Sequence, residues 1–142
     1  WSKRANIGAA VLIDAFPKDE QEDDYPDLLG VGATEATREI LTEKMDINLL
    51  KEGMLGGMTG VMLGEARRRG LAIMAILAGA MKDVPDATAA VRVIQKLDFL
   101  LPTVSLDSEP LVKQAMQFEN EIKGMVESKL TGEQTSDTSM FV

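Results

Sequence analysis

The residues whose types and spacing could carry chemistry gather between Gly53 and Asp86, in GMLGGMTGVMLGEARRRGLAIMAILAGAMKDVPD. Glycines at 53, 56, 57, 60 and 64 lead into Arg67-Arg68-Arg69-Gly70. Backbone N–H groups at a glycine-rich helix start can hold an anion, which makes Gly56, Gly57, Thr59 and Gly60 a candidate anion-binding set. A Walker loop ends in Gly-Lys-Ser/Thr so that the lysine reaches the phosphates; here Val61 and Met62 follow Gly60. A dinucleotide fingerprint needs G-x-G-x-x-G, and Gly57, Gly60 and Gly64 do not give that spacing. Tight turns and close packing are the favoured reading of these glycines. The three arginines could hold a phosphate or an acidic partner. Cations in a last helical turn also suit the negative dipole end, and that plainer reading is preferred.

Other reactive constellations are thin. The 142 residues contain no His and no Cys, which removes the usual general base near neutral pH, the commonest metal ligand and any disulfide framework. Serines 2, 105, 108, 128, 136 and 139 have no His to activate them. Glu52, Glu65, Asp83 and Asp86 could pair as carboxylates, but the sequence brings no two together, and helix capping explains Asp86 more simply. The acidic stretch PKDEQEDDYPD, residues 17–27, lacks the glycine of a calcium loop and reads as a solvated loop. No catalytic residue, cofactor or metal is expected. A net charge of -8 argues against nucleic acid, and no apolar run is long enough for a membrane span. A cytoplasmic protein is expected.

These residues need elements to hold them. The apolar fraction of 45% suffices for a core built of aliphatic side chains and Met. Continuous apolar runs at Ile7–Ile13, Leu28–Ala33 and Leu71–Ala78 predict short strands buried on both faces, the last of them central. Thr34 is an N-cap with Glu35 in the first turn of a helix running to about Lys44. Asp46–Lys51 is a short strand or a connector. Thr59 or a nearby glycine starts a helix with Val61, Met62 and Ala66 facing inward, closed by a left-handed Gly70. Pro85 and Asp86 open a helix whose apolar face is Ala90, Ile94, Leu97 and Leu101. A last long helix from about Glu109 carries Leu111, Ala115, Phe118, Ile122 and Met125, a stripe at coiled-coil-like spacing. The alternation predicts an α/β sandwich with a mostly parallel sheet. Residues 1–130 form that domain, and 131–142 form a flexible polar tail ending Met140-Phe141-Val142. So few strands, apolar on both faces, want neighbours: either the chain, which starts at Trp1, is part of something longer, or it forms an oligomer.

The stretch from Gly53 through Gly56-Gly57-Met58-Thr59-Gly60 to Gly64-Glu65-Ala66-Arg67-Arg68-Arg69-Gly70 resembles the G-x-x-x-G-[LIM]-T-G-x-L-L-x-E-A-x-x-R-G pattern of the proteasome assembly chaperone type 2 family. The apolar run at 71–78 is similar to the family's strand, and Val84-Pro85-Asp86-Ala87 to its x-P-D-P helix start, with Ala87 in place of the second proline. The resemblance lies mainly in Glu52–Leu130, and it implies the C-terminal part of a longer fold. It further implies a three-layer, nucleoside-phosphorylase-like α/β sandwich, homo-oligomers, and ATP-independent chaperoning of proteasome α subunits. Some members end in a hydrophobic–Tyr–any-residue motif whose carboxylate docks between α subunits. Met140, Phe141 and Val142 are similar to it, with Phe lacking the Tyr hydroxyl; C-terminal carboxylate capture is a general peptide-recognition mode.

The resulting expectation is a non-catalytic binding protein that assists proteasome assembly. Its partner-binding residues would be Leu111, Phe118 and Ile122 of the last helix and Met140, Phe141 and Val142 of the tail. The alternatives are a small-molecule or anion-binding, phosphorylase-like enzyme using the Gly56–Gly60 helix start, and an oligomeric scaffold.

Overall fold

The computed structural model describes residues 7–18, 26–82, 86–101 and, between 109 and 125, residues 109, 110, 112, 113, 116–118, 120–122, 124 and 125. Four strands, β1 (Ala10–Pro17), β2 (Leu28–Gly32), β3 (Asn48–Leu49) and β4 (Ile73–Ala80), form one sheet in the order β1-β4-β2-β3. β1 runs parallel to β4 and β2 parallel to β3, while β2 and β4 are antiparallel. The sheet is thus mostly parallel, with β4 in its interior as its unbroken apolar sequence predicts.

Helices cover both faces. β4 alternates its side chains: Ala75 and Leu77 face α2 (Gly57–Arg69), where they pack with Leu63, Ala66 and Ala33. Met74, Ile76 and Ala78 face the opposite layer, where Leu41, Met45, Ile47, Ala89 and Val93 complete the larger core cluster. That layer contains α1 (Glu35–Glu39), a π-helical continuation (Ile40–Lys44) and α3 (Ala87–Asp98).

Local chemistry accounts for the helix ends. Thr34 and Thr37 form a reciprocal capping box at α1, with Thr37 N–H donating to Thr34 Oγ1 and Thr34 N–H to Thr37 Oγ1. Gly70 closes α2 at φ 64°, where its N–H donates to Ala66 and Arg67 carbonyls. Asp86 caps α3 by accepting the Ala89 N–H at 2.8 Å and also accepts the Met81 N–H at 3.1 Å, tying the helix start to the end of β4.

Three expectations are corrected. β1 begins three residues later than the apolar run and continues through Asp14 to Pro17, because the parallel ladder with β4 extends to Ala80. In α2 the buried residues are Thr59, Leu63 and Ala66, whereas Val61 is 70% exposed. In α3 the buried face is turned by about one residue, roughly 100°: Ala89 and Val93 are buried and Ala90 is exposed. Asp86 is the N-cap of α3. Pro85, Ala115 and the tail lie outside the described residues. So does the continuity of the last helix, although the described residues between 109 and 125 are helical.

Candidate functional site

The glycine-rich segment builds the start of α2 against β1. Gly56 is the N-cap, without a side-chain hydrogen bond to the helix, and Gly57 has φ 62°. Gly60 sits where the backbone folds back on Leu55: a Cβ there would fall far inside van der Waals contact with the Leu55 carbonyl oxygen. Gly64, one turn on, has open space at the same position. The first glycine is required by close approach and the second is not.

Thr59 is buried, and its hydroxyl donates to Asp14 Oδ2 at 2.6 Å. This bond, together with the Ala15 N–H on the other carboxylate oxygen, holds the Asp14 carboxyl below the usual carboxylate range. Gly56, Gly57, Thr59 and Gly60 lie at the start of α2, and a carboxylate stands beside them. Asp14 was not legible as a site residue, because its partner lies 45 positions away in sequence.

Next to this segment, a cleft of about 330 Å³ opens between the end of β2, the 50–55 loop and α2. Gly60 and Gly64 line it, together with the charged residues Lys51, Glu52 and Arg67. The other arginines are engaged locally: Arg68 donates to Glu65 at 2.7 and 2.9 Å, and Arg69 also donates to Glu65. The Arg68 hydrogen bond, followed by that from Arg69, lowers the Glu65 carboxyl to about 2. Glu65 is thus tied to its helix, Asp86 caps α3 and Glu52 lies on the cleft, so no two of these carboxylates are brought together; Asp83 is outside the described residues. Among the described residues no group of His, Cys, Asp or Glu could hold a metal ion. No helix among them is long and apolar enough to cross a membrane.

At the distal end, Phe118 is 54% exposed and Met125 66% exposed, while Ile122 is half-buried. Leu111, Met140, Phe141 and Val142 lie outside the described residues. The acidic stretch at 17–27 is anchored at its end: Asp27 accepts from Lys18 Nζ at 2.7 Å and lies 3.4 Å from Arg92.

This geometry offers packed glycines, a carboxylate latch and exposed apolar side chains, and it frames what the chain is similar to. A family model described as the PAC2 family matches residues 1–126, so the chain belongs to the PAC2 family. The match takes in β1 and β2 as well as the segment that carried the resemblance in sequence. The structure is similar to that of PbaA from Pyrococcus furiosus, an archaeal homolog of proteasome-assembly chaperone, with 27% identity and a TM-score of 0.76 over 99% of this chain and 59% of that one. It also shares its fold with PbaB from the same organism, an archaeal proteasome activator (19% identity, TM-score 0.68, 82% of this chain and 50% of that one). A proteasome-assembly chaperone homologue from Mycobacterium tuberculosis has the fold as well (18% identity, TM-score 0.63, 87% and 51%). The chain thus spans between half and three fifths of the length of these solved relatives. None of the curated proteins matches it.

Proposed function

We propose that this chain is the C-terminal part of a longer, homo-oligomeric, non-catalytic binding protein that assists proteasome assembly in the cytoplasm. The observation that carries this reading is the family membership together with the likeness to PbaA over nearly the whole chain. The α subunits are its proposed partners and no nucleotide is needed. The proposed contacts are Leu111, Phe118 and Ile122 on the last helix and Met140, Phe141 and Val142 in the tail. The exposure of Phe118 and Met125, seven positions apart in sequence, supports the helix part.

An anion-binding or phosphorylase-like role at the α2 start has less support. The Asp14 carboxylate already accepts from Thr59 and would repel a second anion at that helix end. The 142-residue chain and a version lacking Met140–Val142 should be tested for co-sedimentation with 20S proteasome and with isolated α subunits. Binding that falls when the tail is removed supports the whole reading. Equal binding by both removes the tail from it, and binding by neither overturns the chaperone role.

A further inference from the structure

The cleft of about 330 Å³ between the end of β2, the 50–55 loop and α2 is large enough for a small ligand, and none of the contacts proposed above lines it. β2 and β3 run parallel, and the residues that follow them, Ala33 after one and 50–53 after the other, line the cleft. Crevices at the carboxyl ends of strands are where open α/β sheets take ligands. Gly60, Gly64 and Arg67 follow one another at four- and three-residue steps along one face of α2. Gly64 has open space where a side chain would begin. A helix-interior glycine that packing does not demand thus leaves room in the cleft.

The charges of the cleft are unspent. Arg38, Arg68, Arg69 and Arg92 each pair with a carboxylate, while Arg67 has no ion pair among the described residues. A place in the last turn suits the helix dipole for Arg67, Arg68 and Arg69 alike; what sets Arg67 apart is the missing carboxylate. Lys51 and Glu52 also have no ion pair among the described residues. The three lining charges sum to +1, in a protein of net charge -8. A monocarboxylate balances that charge, whereas a phosphate ester of about -1.5 to -2 exceeds it and meets Glu52. The guanidinium fork matches the two oxygens of a carboxylate. Ionised Glu52 only accepts hydrogen bonds, so it favours a ligand that also carries a donor. Val31, Leu50, Leu55 and Leu63 add an aliphatic wall. We propose that this cleft binds a small aliphatic carboxylic acid bearing a hydroxyl or amino group. Arg67 and Lys51 hold its carboxylate, Glu52 its donor, and the aliphatic wall its hydrocarbon body. Asp14, which disfavours an anion at the start of α2, is not among the lining residues. The competing occupant is polypeptide from the longer fold, since the chain spans 59% of PbaA; it would give this chain no selectivity among small acids.

NMR titration of the intact chain with α-hydroxyisocaproate, isocaproate and inorganic phosphate tests the proposal. Saturable shifts of the Gly60 and Gly64 amides are expected with α-hydroxyisocaproate, weaker binding with isocaproate and none with phosphate. Losing a hydrogen bond to a charged group costs about tenfold or more in affinity, so Arg67→Gln should weaken α-hydroxyisocaproate by that factor. Glu52→Ala should erase the preference for the hydroxy acid, and Gly64→Leu, which takes up cleft space, should abolish binding of both acids. Absence of saturable shifts with either acid overturns the proposal, as does undiminished affinity in Arg67→Gln. Phosphate binding as tightly as α-hydroxyisocaproate overturns the carboxylate assignment, and equal affinity for the two acids overturns the role of Glu52. The order of the three probes on the unmutated chain is a readout that does not depend on any variant folding.

Discussion

Gly60 and Gly64 lie one turn apart on α2 and invite the same substitution with opposite outcomes. Alanine at Gly64 meets nothing within 4 Å, so it gains helix propensity and loses unfolded-state freedom, for about 0.5–1 kcal/mol of added stability. Alanine at Gly60 gains at most as much, but its Cβ runs into the Leu55 backbone carbonyl. That oxygen belongs to the backbone and cannot rotate away as a side chain would. The 55–60 turn must open by about 1 Å or more, and overpacking of this kind costs about 1–3 kcal/mol. The net expectation is a loss of about 1–2 kcal/mol for Gly60→Ala, leaving the two variants about 2 kcal/mol apart. In urea, with a slope of about 1.5 kcal/mol/M, their unfolding midpoints should differ by more than about 1 M, on opposite sides of the unmutated protein. A Gly60→Ala midpoint that rises as far as that of Gly64→Ala would refute the close-approach account of the glycine-rich segment.

Three further expectations concern single hydrogen-bonded groups. Thr59→Val removes the bond to Asp14 and should cost about 1 kcal/mol, at the low end because Asp14 is exposed. Because that bond lowers the Asp14 carboxyl below 3.8, its stabilisation is present above that pH and fades as pH falls below it, so the gap between Thr59→Val and the unmutated protein should shrink in acid. Asp86→Ala strips the α3 cap and should cost about 1 kcal/mol, read from thermal unfolding, with faster exchange of the Ala89 and Met81 amides. Glu65 should titrate by NMR near 2 instead of 4.5, and Arg68→Gln should raise it; its contribution, complete above 4.5, is lost between 4.5 and about 2. A Glu65 titrating at its ordinary value would show that the exposed Arg68 and Arg69 contacts do not persist in solution.

The residues alone specified a good part of the fold. Periodicity placed β2, the interior strand β4 and the helices between them, and short-range chemistry placed the caps at Thr34 and Asp86 and the stop at Gly70, because each acts within a few positions of chain. The same residues carried the PAC2 resemblance. What they could not specify depends on groups distant in sequence. The order β1-β4-β2-β3, with one antiparallel pairing, follows from how strands pack once the helices divide between two faces. The buried faces of α2 and α3 differ from the apolar stripes read in sequence because contact with β4 sets their rotation, and small residues such as Ala66 and Ala89 fit against it while Val61 is left in solvent. The Asp14–Thr59 bond joins positions 45 apart, and with it a glycine-rich run that looked ready for an anion acquired a carboxylate neighbour.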